Sequence, residues 1–152
     1  MLRVLMIADI IGQPGRKSVA MVLPYFRKTE GVDFVIANAE NSAGGAGITP
    51  AIAGEIFNYG VDVVTLGNHT WERKEIVEYL SNPRILRPAN YPPLTPGHGY
   101  NIYETMHGKI VIASLMGRLH MLNLDCPFRC ADEIVNSART NDIPTVIVDF
   151  HA

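Results

Sequence analysis

Side chains that can bind metal ions follow four separate apolar stretches of this sequence. Two carboxylates, amide oxygens and imidazole nitrogens make up the set, and such ligands suit iron, manganese or zinc. A carboxylate shared by two ions holds them ~3.5–4 Å apart, the spacing used for in-line displacement at phosphorus. A remaining imidazole can then donate a proton to the leaving oxygen. The residue types therefore predict a two-metal phosphoesterase site built from Asp9, Glu40, Asn41, Asn68, His69 and His151.

The apolar stretches themselves have the character of buried strands. Leu2–Ala8, Phe34–Ala37, Val61–Leu66 and Thr145–Phe150 are short and rich in β-branched residues, as is typical of parallel strands covered on both faces. In open α/β sheets, ligands bind beyond the carboxyl ends of the strands. Because every candidate ligand follows such a stretch, we expect the side chains to meet at one edge of the molecule.

Helical patterns alternate with the first three strands. One is predicted at about Lys17–Lys28 and a second from Thr49, an N-cap followed by proline, to about Tyr59, with Gly60 as its C-cap. A third is predicted from Thr70 to about Leu80. The β-α-β-α-β-α order predicts an α/β fold whose parallel sheet has right-handed crossovers.

The second half of the sequence changes character. Asn82–Gly99 holds five prolines and predicts a long irregular loop. Tyr100–Thr105 and Lys109–Leu115 flank a short turn and predict a hairpin. A last helix is predicted near Ala131–Thr140, ahead of the final strand. We expect the residues to form a single domain, with a mixed sheet flanked by helices.

Composition narrows the possible functions. Hydrophobic residues make up 47% and charged residues 18% of the 152 residues, a balance typical of globular domains. A net charge of −2 and a pI near 6.2 disfavour duplex nucleic acid as a partner. No stretch approaches the ~20 apolar residues of a membrane span. Cys126 and Cys130 match neither a zinc framework nor a redox motif, so a reduced, cytoplasmic protein is expected.

Several other residues have more ordinary interpretations. The glycines near Glu40 lack the spacing of a phosphate-binding loop, and Asp149 is assigned a structural role. The remaining histidines are expected to be exposed. Arg118 and Arg129 flank a loop that can fold over the crevice, although surface roles are favoured; Trp71 and Tyr91 can stack on a base, although a core role is favoured for Trp71.

The ordered motifs resemble the calcineurin-like metallophosphoesterase superfamily, most closely its bacterial YmdB-type branch. The resemblance rests on Asp9-Ile-Ile-Gly, Asn38-Ala-Glu-Asn, Gly67-Asn-His-Thr and Asp149-Phe-His-Ala, together with Arg87-Pro-Ala-Asn-Tyr-Pro-Pro and Leu124-Asp-Cys-Pro-Phe-Arg. It covers the whole chain and implies the layered sandwich of that superfamily, of which this chain is the N-terminal portion.

The resemblance also implies roles for individual residues. Asp9 binds the first metal with Asn41 beside it, Glu40 bridges both metals, and Asn68 and His151 bind the second. His69 donates the proton to the leaving oxygen. The implied cofactors are two ions, iron or manganese with zinc as the alternative, and the implied substrate is a small phosphodiester of the 2′,3′-cyclic nucleotide type.

One departure from the family pattern qualifies this prediction. Family members continue into a Gly-x-His-x-His segment that completes the metal shells, whereas this sequence ends one residue after His151. We therefore expect a domain truncated at its C-terminus, which self-associates when expressed alone because a sheet edge is exposed. The alternative is a catalytically incomplete module with a role in regulation or assembly.

Overall fold

A computed structural model describes all 152 residues as seven strands in two sheets with four helices. The first sheet is parallel, with its strands in chain order: β1 (Val4–Ile7), β2 (Phe34–Asn38), β3 (Val63–Thr65) and β4 (Ile85–Leu86). The second contains β5 (Tyr100–Thr105), β6 (Gly108–Met116) and β7 (Thr145–His151). The helices are α1 (Gly12–Thr29), α2 (Pro50–Asn58), the single turn α3 (Ile76–Tyr79) and α4 (Pro127–Thr140).

The two sheets pack face to face between layers of helices. Side chains of β2 alternate between its two faces: Val35 and Ala37 join the core beneath α1 and α2, whereas Phe34 and Ile36 pack against Ile110 and other side chains of the second sheet. The opposite face of the second sheet packs on α4. The continuous apolar run in β2 follows from this burial on both faces, and the predicted layered α/β class is confirmed.

The second sheet is mixed. β5 and β6 form the predicted antiparallel hairpin, and β7 pairs with β6 in parallel, so that Met116 lies opposite His151. The last predicted strand therefore belongs to the second sheet and not to the parallel sheet of β1, β2 and β3. The Asn82–Gly99 segment, predicted to be irregular throughout, supplies the two-residue strand β4.

The helix predicted from Thr70 to Leu80 is wrong in its first half. Thr70 does not cap a helix, because its hydroxyl donates to the carbonyl oxygen of Gly67 at 2.6 Å, and turns occupy the residues up to Ile76. α1 begins five residues before Lys17, since a proline at the third helical position lacks only an N–H that has no partner in a first turn. None of the helices is both long enough and apolar enough to cross a membrane.

Candidate metal centre

Glu40 lies at the centre of the candidate site and is almost completely buried, with 1% of its surface exposed. One carboxylate oxygen, Oε2, accepts the backbone N–H of His69 at 3.0 Å. The other, Oε1, lies 2.7 Å from Nδ1 of His151, but it has no aligned hydrogen-bond donor. A buried carboxylate oxygen and an imidazole nitrogen thus converge without forming a hydrogen bond.

Asp9 and Asn41 form a second pair beside Glu40. The Asn41 side-chain amide donates to Oδ1 of Asp9 at 2.8 Å, which leaves Oδ1 of Asn41 buried and without a partner. The loops that carry them are joined by backbone hydrogen bonds of 2.9 Å, from Ile10 to Asn38 and from Gly12 to Asn41. Asp9 has a positive φ of 21°, and such strain in a residue other than glycine is concentrated at functional sites.

The remaining two predicted residues lie in the turn after β3. Asn68 is half-buried there, and its side chain forms no hydrogen bond within the chain. Nδ1 of His69 is buried and has no hydrogen-bond partner; the nearest carboxylate oxygen, Oε1 of Glu72, lies 3.6 Å away, which is too long for a hydrogen bond. The imidazole of His69 therefore keeps Nδ1 free of any strong contact.

A polar network behind Glu40 holds its backbone in place. The N–H of Glu40 donates to Oδ1 of Asn38 at 3.2 Å, and the Asn38 amide donates to Oδ2 of Asp149 at 3.2 Å. The hydroxyl of Thr65 donates to the same carboxylate oxygen of Asp149. Because Asp149 lies on β7 and the other three residues on or beside the first sheet, this network ties the two sheets together. The structural role predicted for Asp149 agrees with these contacts.

Gly67 belongs to the site although it was not among the residues predicted from the sequence. A Cβ atom at this position would lie 2.4 Å from Oε1 and 2.7 Å from Oε2 of Glu40, and 2.7 Å from Cγ of His151. Only glycine lets the backbone after β3 pass this close to both side chains. The feature of the sequence that could have identified Gly67 is its position directly before Asn68 and His69.

The residues present suit a bound cation, although they do not close a shell around one. The unpartnered buried oxygens of Glu40 and Asn41 are acceptor atoms of the kind that metal ions satisfy. No group of three or more His, Cys, Asp and Glu side chains lies close enough together to hold an ion by itself. The chain thus provides two neighbouring partial ligand sets.

An aromatic pair borders the site. Trp71, two residues after His69, packs edge-to-face on Tyr91 with ring centroids 5.6 Å apart and also contacts the core of the first sheet. The hydroxyl of Tyr91 is buried without a hydrogen-bond partner. Burial raises the pKa of the Tyr91 phenol, so this group remains a neutral donor at neutral pH.

Comparison with known proteins agrees with this architecture. A 2′,3′-cyclic-nucleotide 2′-phosphodiesterase of Bacillus subtilis is 38% identical in an alignment that covers 99% of this chain but only 57% of that protein. A crystal structure of a hypothetical protein from Thermus thermophilus matches with a TM-score of 0.88 and 37% identity, over 99% of this chain and 58% of that one. A novel phosphatase from Mycoplasma pneumoniae gives a TM-score of 0.91 and 28% identity, over 99% and 55%.

The chain thus spans little more than half the length of these relatives. The model of the family described as YmdB-like protein matches residues 5–152, which includes every candidate site residue. This chain therefore belongs to the YmdB-like protein family.

Proposed function

We propose that this chain contributes most of the active site of a metal-dependent phosphodiesterase that hydrolyses a small cyclic nucleotide. The observation that supports it best is the buried carboxylate of Glu40, whose Oε1 atom lacks a hydrogen bond while Nδ1 of His151 approaches it to 2.7 Å. A buried carboxylate without a hydrogen bond to one of its oxygens destabilises the fold unless a bound cation offsets its charge. In our proposal the metal-binding residues are Asp9, Glu40, Asn41, Asn68 and His151.

Glu40 and His69 have separate roles in this proposal. In our proposal Glu40 would be the ligand shared by two ions, iron or manganese with zinc as the alternative. When bound, such ions activate a water molecule and offset charge on the phosphate oxygens. His69 would be the proton donor to the leaving alkoxide oxygen, and the hydrogen bond from its backbone N–H to Oε2 of Glu40 holds it beside that carboxylate.

The 2′,3′-cyclic nucleotide is proposed as the substrate because of the name carried by the Bacillus subtilis relative. We also propose that histidines outside residues 1–152 complete the metal shells, since the relatives are longer and the ligands present here form pairs only.

Kinetics and metal analysis of a protein extended to the length of its relatives test this proposal. We expect two bound ions per chain and hydrolysis of 2′,3′-cyclic nucleotides. His69→Ala should lower kcat by about 10²–10⁴-fold, the usual contribution of a general acid, while the metals stay bound. His98→Ala is the matched control, because His98 is exposed and the only hydrogen bond of its side chain is to the carbonyl oxygen of Ser81. Unchanged turnover of His69→Ala with full metal content would exclude His69 as the acid.

A regulatory or assembly module that lacks activity is the second candidate. The absence of a closed three-residue ligand group in this chain favours it. Isothermal titration of the extended protein with Mn²⁺ separates the two candidates: tight binding of two ions with turnover supports the enzyme, and failure of both supports the module.

Self-association of the isolated chain is also proposed. The α1 surface exposes several large apolar side chains, and β1 is an edge strand paired only with β2. Light scattering of the 152-residue chain should show species larger than a monomer; a monodisperse monomer would contradict this. The apolar side chains are Ile11, at the N-cap of α1, and Met21, Val22 and Tyr25 within the helix.

A cytoplasmic location is also proposed, and the two free thiols agree with it.

A further inference from the structure

A cavity of about 540 Å³ opens between the segment after β4 and the first turn of α4. We call it the arginine cavity. The proposed chemistry uses none of its residues. Its charged and titratable lining comprises Arg87, Tyr91, Arg118, Cys126, Arg129 and Cys130, together with the carboxylates Asp125 and Glu133.

Two contacts connect the arginine cavity to the segments that carry His69 and His151. Tyr91 lines it and packs on Trp71, which follows His69 by two residues. On the other side, the N–H of Gly117 donates to the carbonyl oxygen of His151 at 2.8 Å, and Arg118 is the next residue. These contacts place the cavity next in the chain and in the packing to two of the candidate site residues.

Arg118, Arg129 and Tyr91 offer hydrogen-bond donors that are free to bind an anion, and Arg87 contributes positive charge. Arg118 and Arg129 are exposed and form neither an ion pair nor a side-chain hydrogen bond. Arg87 is buried, and its guanidinium donates only to backbone carbonyl oxygens, at distances of 2.8–3.4 Å. The hydroxyl of Tyr91 is unpartnered. Three cations face two carboxylates, and guanidinium groups bind phosphate with matching geometry.

Cys126 shows that the cavity already favours negative charge. The backbone N–H groups of Arg129 and Phe128, at the start of α4, lower the pKa of this thiol, and the charges of Arg118 and Arg129 lower it further. Cys130, one helical turn on, has its pKa raised by burial. An anion placed beside Cys126 would meet the same N–H groups and guanidinium groups.

We propose that the arginine cavity binds a second, non-reacting phosphate of the substrate, carried on the 5′ oxygen of the nucleoside. This inference rests on the proposed function. In a 2′,3′-cyclic phosphate the 2′ and 3′ oxygens are already esterified, so the 5′ oxygen is the ribose position left for another phosphate. Both a 5′-phosphorylated cyclic mononucleotide and the end of an RNA chain present this group.

The first test measures binding without turnover. Iodoacetamide alkylates Cys126 of the extended protein, kept metal-free with a chelator so that no turnover occurs, and mass spectrometry follows the rate with and without millimolar nucleotide. A 5′-phosphorylated nucleoside 2′,3′-cyclic phosphate should slow alkylation by about tenfold, since charge-assisted bonds to phosphate are strong. The same compound without the 5′-phosphate should have little effect. Equal rates with both compounds would overturn the subsite.

The second test compares kcat/KM in the extended protein for the same two compounds. We expect a preference of about tenfold for the 5′-phosphorylated one, and its loss in Arg118→Ala/Arg129→Ala. Arg139→Ala, in the last turn of α4 and outside the cavity, should retain the preference. Turnover of both compounds at equal kcat/KM overturns the subsite but leaves the proposed function standing. Protection of Cys126 by the 5′-phosphorylated compound, in an extended protein that does not hydrolyse it, supports the subsite and contradicts the proposed function.

A third substrate distinguishes the two sources of the phosphate. An oligoribonucleotide ending in a 2′,3′-cyclic phosphate carries the same group within a chain. A kcat/KM equal to that of the 5′-phosphorylated mononucleotide assigns recognition to the phosphate alone, and a higher value assigns it to RNA ends. A kcat/KM as low as that of the unphosphorylated compound contradicts the subsite.

Discussion

Replacement of Gly67 by alanine is the sharpest single test of the site geometry. The added methyl group would lie 2.4 Å from Oε1 of Glu40 and 2.7 Å from Cγ of His151, well inside van der Waals contact. Gly67 does not have a positive φ, so the substitution adds no backbone strain. A loss of stability must therefore come from displacement of these two side chains, because the reduced freedom of alanine in the unfolded chain acts in the opposite direction.

The cost can be bounded from the contacts that would be lost. If Glu40 stays, the overpacking costs about 1–3 kcal/mol. If Glu40 moves, it gives up the 3.0 Å hydrogen bond from the N–H of His69, and a bond to a charged group is worth about 1.5–3 kcal/mol. The two costs are alternatives, so we expect the free energy of unfolding to fall by about 2 kcal/mol.

Urea denaturation of the metal-free chain measures this change. With an m value near ~2 kcal/mol/M, the midpoint should fall by about 1 M. Gly54→Ala is the matched control, because a Cβ there meets nothing within 4 Å in the middle of α2. It should raise stability by roughly 0.5–1 kcal/mol, since alanine is the better helix former.

A second measurement links the same substitution to metal binding. Gly67→Ala should abolish tight binding of Mn²⁺ by the extended protein, because the Glu40 carboxylate, which we propose as the shared ligand, can no longer face His151. A variant with an unchanged midpoint and unchanged metal affinity would refute the placement of Glu40 beneath Gly67.

Three further predictions follow from other contacts. Glu40→Gln should raise the free energy of unfolding of the metal-free chain by about 1 kcal/mol, since it removes a buried charge whose Oε1 atom has no hydrogen-bond partner, while eliminating metal binding; a less stable variant would contradict this. Thr49→Ala should cost about 1 kcal/mol in urea denaturation, because the Thr49 side chain accepts the N–H of Ile52 at the start of α2. The alkylation rate of Cys126 should rise with pH at a lower midpoint than that of Cys130, because the pKa of Cys126 is lowered and that of Cys130 raised; coincident profiles would contradict it.

Elements whose signal is local were predictable from the sequence. The strands β1, β2 and β3 follow apolar runs, and the hairpin of β5 and β6 follows its turn. α2 begins at Pro50 after its Thr49 cap as predicted, and Gly60 takes the positive φ of 105° that ends a helix. These features depend on residues that lie only a few positions apart in the sequence.

The errors lie where distant contacts override local preference. Thr70 has the side chain of a helix cap, but the close approach of the Gly67–Thr70 turn to Glu40 engages its hydroxyl elsewhere. β4 exists because two residues of a proline-rich segment meet the edge of β3, and the pattern of residues along the chain contains no information about that edge.

The candidate ligands show the same division. The order of residues was enough to identify which side chains are available and that each follows a strand, because apolar runs and turn residues are local properties. The packing of the folded chain was needed to bring His151, carried by a different sheet, to face Glu40, and to let Asn38, Thr65 and Asp149 bind the two sheets together behind it. That meeting depends on how two sheets pack, which is a property of the whole core and of no single segment.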